Sequence, residues 1–327
     1  MKVSVLIPAY NCADTLPATL DSVLAQTEPA DEILVMDDGS TDETRAIAES
    51  YKPRVRVFWQ PNGGLARTRN ALIVKATGDL VTFLDSDDVW HPDYLRAQRK
   101  QFEKFPQAVA FFMGHVNFSD SETYFWEPDQ GAVPYLSELI PPLEFFKRYN
   151  RATGPFGCFS YCAVPMAVLR TLGSEPFKEQ GAEDSYCCSL LSLLGPVVYC
   201  SAPLVAYRIR GNSLSSRHVW TFGVWVHTFE LVQSRYEECA SSSLLKAFGM
   251  AFAAKRRCYA KLLMGAGKTD EARSQLRCSL QNSTQPVSQA KSVVMLLMTY
   301  LPRQLQPAWP SSFRGSTPTK VSAERAI

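Results

Sequence analysis

The chain has 327 residues, enough for one large domain or a domain with a substantial extension, and its 46% hydrophobic and 20% charged residues are those of an ordinary globular protein. A net charge of +2 with no long basic block argues against nucleic acid as the main partner. Nine scattered Cys without a Cys-x-x-Cys pair, and only four His, argue against a structural zinc site or disulfide framework and suit a reducing compartment.

The N-terminal apolar run, Val3 to Ile7, is shorter than the central region of a signal peptide and is broken by Pro8. The late apolar run from Val293 to Leu301 is about half of what a membrane-spanning helix needs. These features predict a cytoplasmic protein without a transmembrane helix, with the inner face of a membrane left open as a resting place.

From residue 1 to about 115, strand-like runs at Val3–Ile7, Glu32–Met36, Val55–Trp59, Leu80–Leu84 and Val109–Met113 alternate with helical patterns at about Ala13–Ala25, Asp42–Ser50, Gly64–Ala76 and Pro92–Lys104. Such alternation predicts an α/β fold, a mostly parallel sheet flanked by helices, with ligands bound beyond the carboxyl ends of the strands. Three strand ends carry unusual residues. After the first come Pro8, which cannot continue a ladder, Tyr10, which can stack on a base or simply pack in a turn, and Asn11 and Asp14 as helix caps. After the second comes Asp37-Asp38-Gly39-Ser40-Thr41-Asp42; capping by Ser40, Thr41 or Asp42 accounts for part of it, but not for two adjacent acids before a glycine. Before the third helix, Asn62-Gly63-Gly64-Leu65-Ala66-Arg67-Thr68-Arg69-Asn70 offers a glycine-rich turn, backbone N–H groups and arginines to a phosphate, although glycine pairs are also ordinary turns.

The fourth strand runs into Asp85-Ser86-Asp87-Asp88, three carboxylates within four positions. Clustered acids repel, and a hard divalent cation with oxygen ligands relieves that repulsion; the alternative is an acidic turn. In the middle of the chain, about Val116 to Arg151, aromatic and acidic residues lack clean periodicity, with Glu122–Glu127 as a hairpin strand and Pro141–Tyr149 as a short helix. Further on, Glu183-Asp184 opens a helix, where acids serve the helix dipole or chemistry.

Ser4-Val5-Leu6-Ile7-Pro8-Ala9-Tyr10-Asn11, the Asp37–Asp42 stretch, Gly63-Gly64-Leu65-Ala66 with Arg69-Asn70, and Asp85-Ser86-Asp87-Asp88 together resemble family 2 glycosyltransferases, in that family's order and over roughly residues 1 to 215. The resemblance implies a GT-A fold, a nucleotide-sugar donor (a UDP-sugar first), a divalent cation (Mn2+ or Mg2+), inversion at the anomeric carbon, and a saccharide or lipid-linked acceptor in cell-surface polysaccharide, glycolipid or related glycan synthesis. By residue, it implies nucleotide contacts from Pro8, Tyr10, Asp38, Arg69 and Asp85, metal contacts from Asp87 and Asp88, Asp184 as general base and Glu183 on the acceptor side. It also implies a GT-A domain over 1–215, divided into a nucleotide-sugar half (1–115) and an acceptor and catalytic half (116–215).

The chain departs from the family's Tyr-Arg-x-His pattern at Tyr207-Arg208-Ile209-Arg210. Arginine has no lone pair for a metal, so Arg210 is expected on the diphosphate or in solvent, with the aspartates holding the cation. Beyond it, helical spacing at Trp220–Tyr236, Ser243–Met264, Thr269–Cys278 and Ser288–Tyr300 predicts an all-helical extension over 216–301, followed by a loose tail over 302–327. Lys255-Arg256-Arg257 and Lys261 suggest either peripheral membrane contact or a solvated basic face. Two other classes compete with the transferase: a non-catalytic sugar-nucleotide-binding protein that retains the fold, and a nucleotidyltransferase. The second lacks an obvious Gly-rich, Lys-containing loop after the first strand.

Overall fold

Val3–Ala9 forms the first strand, β1, and every one of its seven residues is buried, as expected of a parallel strand covered on both faces. The computed structural model describes all residues except 120–123, 125, 127–134, 151–155, 179–180, 211–217, 302 and 309–327. After β1 the order is α1 (Leu16–Leu24), β2 (Glu32–Asp37), α2 (Thr44–Ser50), β3 (Arg56–Trp59), α3 (Leu65–Lys75) and β4 (Leu80–Phe83). Strands β3, β2, β1 and β4 lie side by side, all parallel, so the alternating pattern folds as expected.

The second half of the sheet is mixed rather than parallel. It comprises β5 (Val89–Trp90), α4 (Tyr94–Lys104), β6 (Ala110–Ser119), β7 (Ser137–Ile140), α5 (Pro142–Tyr149), β8 (Cys162–Pro165), α6 (Met166–Thr171), α7 (Glu183–Leu194) and β9 (Val197–Ile209). Among the described residues the strand order is β3-β2-β1-β4-β8-β6-β9-β5, with β7 on β9. Strand β8 is antiparallel to both β4 and β6, whereas β6 and β9 are parallel. Most of Glu122–Glu127, all of Gly211–Ser215 and the 309–327 part of the expected tail lie outside the described residues.

Register brings the unusual strand ends to one edge. Ala9 pairs with Asp37, Asp37 with Trp59 and Leu6 with Phe83, so Tyr10, Asp38, Gln60 and Asp85 all follow the last paired residues. Two expectations are corrected at this edge. First, β1 continues through Pro8 to Ala9. The Leu6 carbonyl accepts from Leu84 N–H on the β4 side and the Ala9 carbonyl from Asp38 N–H on the β2 side. Pro8, two residues after Leu6, therefore points its missing N–H past the end of β4, where the ladder needs no donor. Second, neither Asn11 nor Asp14 caps α1; the cap position is Thr15, without a side-chain cap bond. Asn11, at φ +44°, instead accepts a hydrogen bond from Thr41 N–H at 2.8 Å and ties the first turn to the second. At α2 the cap position is Glu43, without a side-chain cap bond, rather than Ser40, Thr41 or Asp42; Asp42 accepts from Thr44 N–H at 3.0 Å just ahead of it.

The chain divides into two compact units, residues 1–213 with 228–247, and residues 214–227 with 248–327. The last four helices are α8 (His218–Cys239), α9 (Ser242–Gly265), α10 (Thr269–Gln281) and α11 (Pro286–Met298), so the region after β9 is helical as expected. In the second unit the basic run is turned inward rather than displayed. Lys255 Nζ lies 3.9 Å from the Trp225 ring centroid, buried Arg256 bonds Asn282 and Gln275, and Arg257 bonds the hydroxyls of Ser288 and Ser292. Peripheral membrane contact therefore draws no support from these three residues. Among the described residues no helix is long and apolar enough to cross a membrane.

The turn after β2 depends on Gly39, which sits at φ +75°; a Cβ there would lie 2.7 Å from Asn62 N. Gly39→Ala should lower stability in urea unfolding by roughly 1–3 kcal/mol, through the left-handed backbone and the approach to Asn62 together. A variant as stable as the parent would contradict this packing.

Candidate active site

The two acids at the end of β2 do different work. Asp38 is almost fully buried and accepts hydrogen bonds from Gln60 Nε2 (2.6 Å), Gly63 N–H (3.0 Å) and Gly64 N–H (2.8 Å). The glycine-turn amides expected to face a phosphate are therefore taken by Asp38, because a charged acceptor on an adjacent strand end outbids water for them. Asp37 is fully buried and accepts from Ser40 N–H. Tyr10 stands half exposed at this edge, while Pro8 is enclosed in β1.

Arg69 lies at the centre of the site. It enters from the buried side of α3, with no exposed surface. Its Nη2 donates to Asp85 Oδ1 at 2.7 Å, its Nη1 donates to Asp184 Oδ1, and Glu183 Oε1 lies 3.9 Å from Nη1. One guanidinium thus gathers the end of β4 and the first turn of α7. The Phe159 and Phe177 rings flank it at 5.8 and 5.3 Å, and they pack edge-on against each other and against Phe83. Burial pushes the Asp184 carboxyl up to about 7; Arg69 pulls it down, while Glu183 and Asp85 add to the rise. Glu183 is likewise raised by burial, against the pull of Arg69, and accepts a hydrogen bond from Gly181 N–H at 2.6 Å.

The acidic loop after β4 is held from α1: the Thr15 hydroxyl donates to the Ser86 carbonyl and the Thr19 hydroxyl to the Asp88 carbonyl, both at 2.9 Å. Asp88 is fully buried. Its Oδ1 accepts from Arg208 N–H at 2.8 Å, and its Oδ2 meets no donor in hydrogen-bonding geometry. Burial, then Asp87 and Asp85, hold its carboxyl well above the usual carboxylate range. Asp87 is pushed up to about 6, by burial and then Asp85, with Arg210 opposing. Arg210 Nε lies 3.5 Å from Asp87 Oδ2 and Nη2 lies 3.3 Å from Asp14 Oδ2, so the arginine faces the acidic loop rather than open solvent.

One oxygen each of Asp85 and Asp88 and the Cys158 sulfur lie within 4.8 Å of one another. The two carboxylates, one with an orphaned oxygen, suit a divalent cation of the Mg2+ or Mn2+ type. Asp87 is not in this group; it is turned toward Arg210. Sequence reasoning passed over Cys158, Ser160, Phe159 and Phe177. Cys158 is 73 residues from Asp85, and no local pattern marks such a residue.

Residues 4–173 match the family model described as Glycosyl transferase family 2. Glycosyltransferase GlyA of Streptococcus pneumoniae is 30% identical over 233 residues, covering 69% of this chain; the chain spans 33% of that relative's length. The fold is similar to S. aureus TarS 1-349 in complex with UDP-GlcNAc (TM-score 0.71, 18% identity, 91% and 90% of the two chains). It is also similar to the mannosyltransferase PcManGT of Pyrobaculum calidifontis in complex with GDP-Man and Mn2+ (TM-score 0.54, 20% identity, 92% and 81%). The ordered strand-end motifs, the GT-A sheet and the family match over more than half of the chain agree: this protein belongs to glycosyltransferase family 2.

Proposed function

We propose that the protein moves a sugar from a nucleoside-diphosphate sugar to an acceptor hydroxyl with inversion at the anomeric carbon, using Asp184 as general base. The observation that carries this reading is the Arg69 pairing, which holds Asp184 within one guanidinium's width of Asp85. A base at the start of α7 and a donor-side acid at the end of β4 are thereby fixed on opposite sides of a single cation. In the reaction the acceptor oxygen bonds to the anomeric carbon as the carbon–phosphate oxygen bond breaks. The hydroxyl proton passes to Asp184 and the electron pair leaves on the diphosphate.

A carboxyl held near 7 suits this task, because proton transfer works best when the base's pKa lies near the operating pH. On the donor side, Tyr10 offers a ring face to the base, and Asp38 supports that pocket through the glycine turn it anchors. Asp85 faces the ribose and the cation, and Arg210 exchanges Asp14 and Asp87 for the diphosphate. A divalent cation bound by Asp88 with Asp85 would neutralise charge developing on the leaving diphosphate. Asp87, paired with Arg210 here, would be available to the same cation once Arg210 served the diphosphate. Arg69, having no exposed surface, serves the nucleotide by positioning Asp85 rather than by touching it.

The UDP-GlcNAc held by TarS and the GDP-Man held by the mannosyltransferase support a nucleotide-sugar donor, and we favour a UDP-sugar. Glu183 stands on the acceptor side, beside a saccharide or lipid-linked acceptor of glycan synthesis.

Asp184→Asn should lower turnover by about 10²–10⁴ while leaving donor binding in calorimetry near the parental value. Full turnover in that variant would exclude Asp184 as the base. The same assignment fixes a pH dependence. The base works deprotonated, so kcat/KM should rise with pH through about 7 and level off above it. A rate that stays flat well below neutrality, measured at saturating cation, would contradict a raised Asp184.

A further inference from the structure

Helix α11 is amphipathic in the reverse sense. Its inward face is polar, with Ser288, Ser292 and Thr299 buried. Arg257 Nη1 donates to the Ser288 and Ser292 hydroxyls, each at 3.1 Å. Ser279 Oγ donates to Ser292 Oγ at 2.7 Å, and Arg273 Nη2 to the Thr299 carbonyl at 2.9 Å. The outward face is apolar: Val287 and Leu297 are 70% and 63% exposed, and exposed Val294 and Leu301 continue the same stripe. A helix at a water surface ordinarily turns its apolar side inward. Here the inward hydroxyls are satisfied, and turning the helix over would strand the buried partners of Arg257 and Arg273. Single exposed apolar residues are ordinary, whereas a continuous stripe marks a surface that something else covers.

Charge on this part of the chain says what covers it. No Asp or Glu occurs from residue 272 to residue 323, whereas Arg273, Arg277, Lys291, Arg303, Arg314 and Lys320 do. Lys291 stands exposed on α11, and exposed Arg277 donates to the hydroxyl of exposed Tyr300 at 3.0 Å. Asp270 and Glu271, just ahead of this stretch, are paired with Arg273 and Lys268. A second copy of the same face would bring cations against cations, which disfavours self-pairing. An anionic lipid surface matches both features, since apolar side chains enter the headgroup boundary while Lys and Arg meet the phosphates.

We propose that the outward face of α11 docks on an anionic phospholipid bilayer, with Val287, Val294, Leu297 and Leu301 in the headgroup boundary and Lys291 and Arg277 on lipid phosphates. The helix lies in the interface and does not cross it. Lys255, Arg256 and Arg257 stay inside the unit, where Arg257 fixes which side of α11 faces out. The docking surface is independent of the transfer chemistry, so it stands or falls without reference to Asp184 or to a cation.

The test is flotation of the full-length protein with vesicles of phosphatidylcholine alone and of equimolar phosphatidylcholine and phosphatidylglycerol. The parent should float with the anionic vesicles, far less with the neutral ones, and release as salt rises. Val294→Ser combined with Leu297→Ser should lower the partition coefficient by at least ~10-fold, a factor that burial of about two methylenes supplies. Val74→Ser, which removes a side chain 81% exposed on α3, should leave partitioning unchanged. Lys291→Glu should weaken binding to the anionic vesicles alone. An unchanged urea midpoint in each variant separates lost docking from lost folding. A parent that does not float with anionic vesicles overturns the proposal, and that measurement needs no variant to fold. Equal flotation with neutral vesicles, or by the double variant, overturns it too. A parent that sediments as a dimer which the double variant breaks assigns the face to a second copy, with the same consequence.

Discussion

A guanidinium with no exposed surface, surrounded by the carboxylates of Asp85, Glu183 and Asp184, sets the terms for the rest of the catalytic unit. Removing a cation from water is expensive, and this one is compensated only because two segments distant in sequence, the loop after β4 and the start of α7, bring their acids to it. Arg69 comes from the first parallel βα layer, Asp85 from the loop after the last strand of that layer, and the acid pair from α7, the second helix after the antiparallel β8. The Phe159 and Phe177 rings flank the arginine with Phe83 packed against both, which strengthens each pairing by excluding water. Mixed topology in the second half of the sheet is therefore no irregularity of the fold. The reversal at β8 returns the chain beside β4 and sets the Cys158–Ser160 turn against Asp85.

The charge balance follows from the same arrangement. Asp85, Asp87, Asp88, Glu183 and Asp184 crowd a region whose cations are Arg69, Arg208 and Arg210. Burial and mutual repulsion raise Asp87, Asp88, Glu183 and Asp184 together, the pattern of a site built to receive positive charge and to hold a proton near neutrality. Arg210 neutralises the exposed side of this cluster through Asp14 and Asp87.

The sequence made legible whatever depends on near neighbours. The three inner parallel strands, β1, β2 and β4, appear as apolar runs because both of their faces are covered, and the motif residues appear because they follow such runs. Side-chain bonds between turns are harder to read: Asn11 has the residue type of a cap but serves Thr41, and Asp38 also anchors Gly63 and Gly64. Strands β5, β7, β8 and β9 were not anticipated. Strand β5 has two residues, and the register of β8 and β9 is set by partners far away in the chain. That Arg69 is buried could not be read from a glycine-rich helix start, which looks the same whether its arginine faces a phosphate or three carboxylates. Cys158 gives no signal in the sequence because its contact with Asp85 spans 73 residues.

The central claim is that one buried cation holds the acids of both halves of the site, and a double-mutant cycle between Arg69→Met and Asp184→Asn in urea unfolding tests it most directly. Arg69→Met should destabilise by about 3–5 kcal/mol, because it strands buried carboxylates. Adding Asp184→Asn to that background should restore part of the loss, a coupling of at least about 1 kcal/mol. Additive effects of the two substitutions would contradict the account.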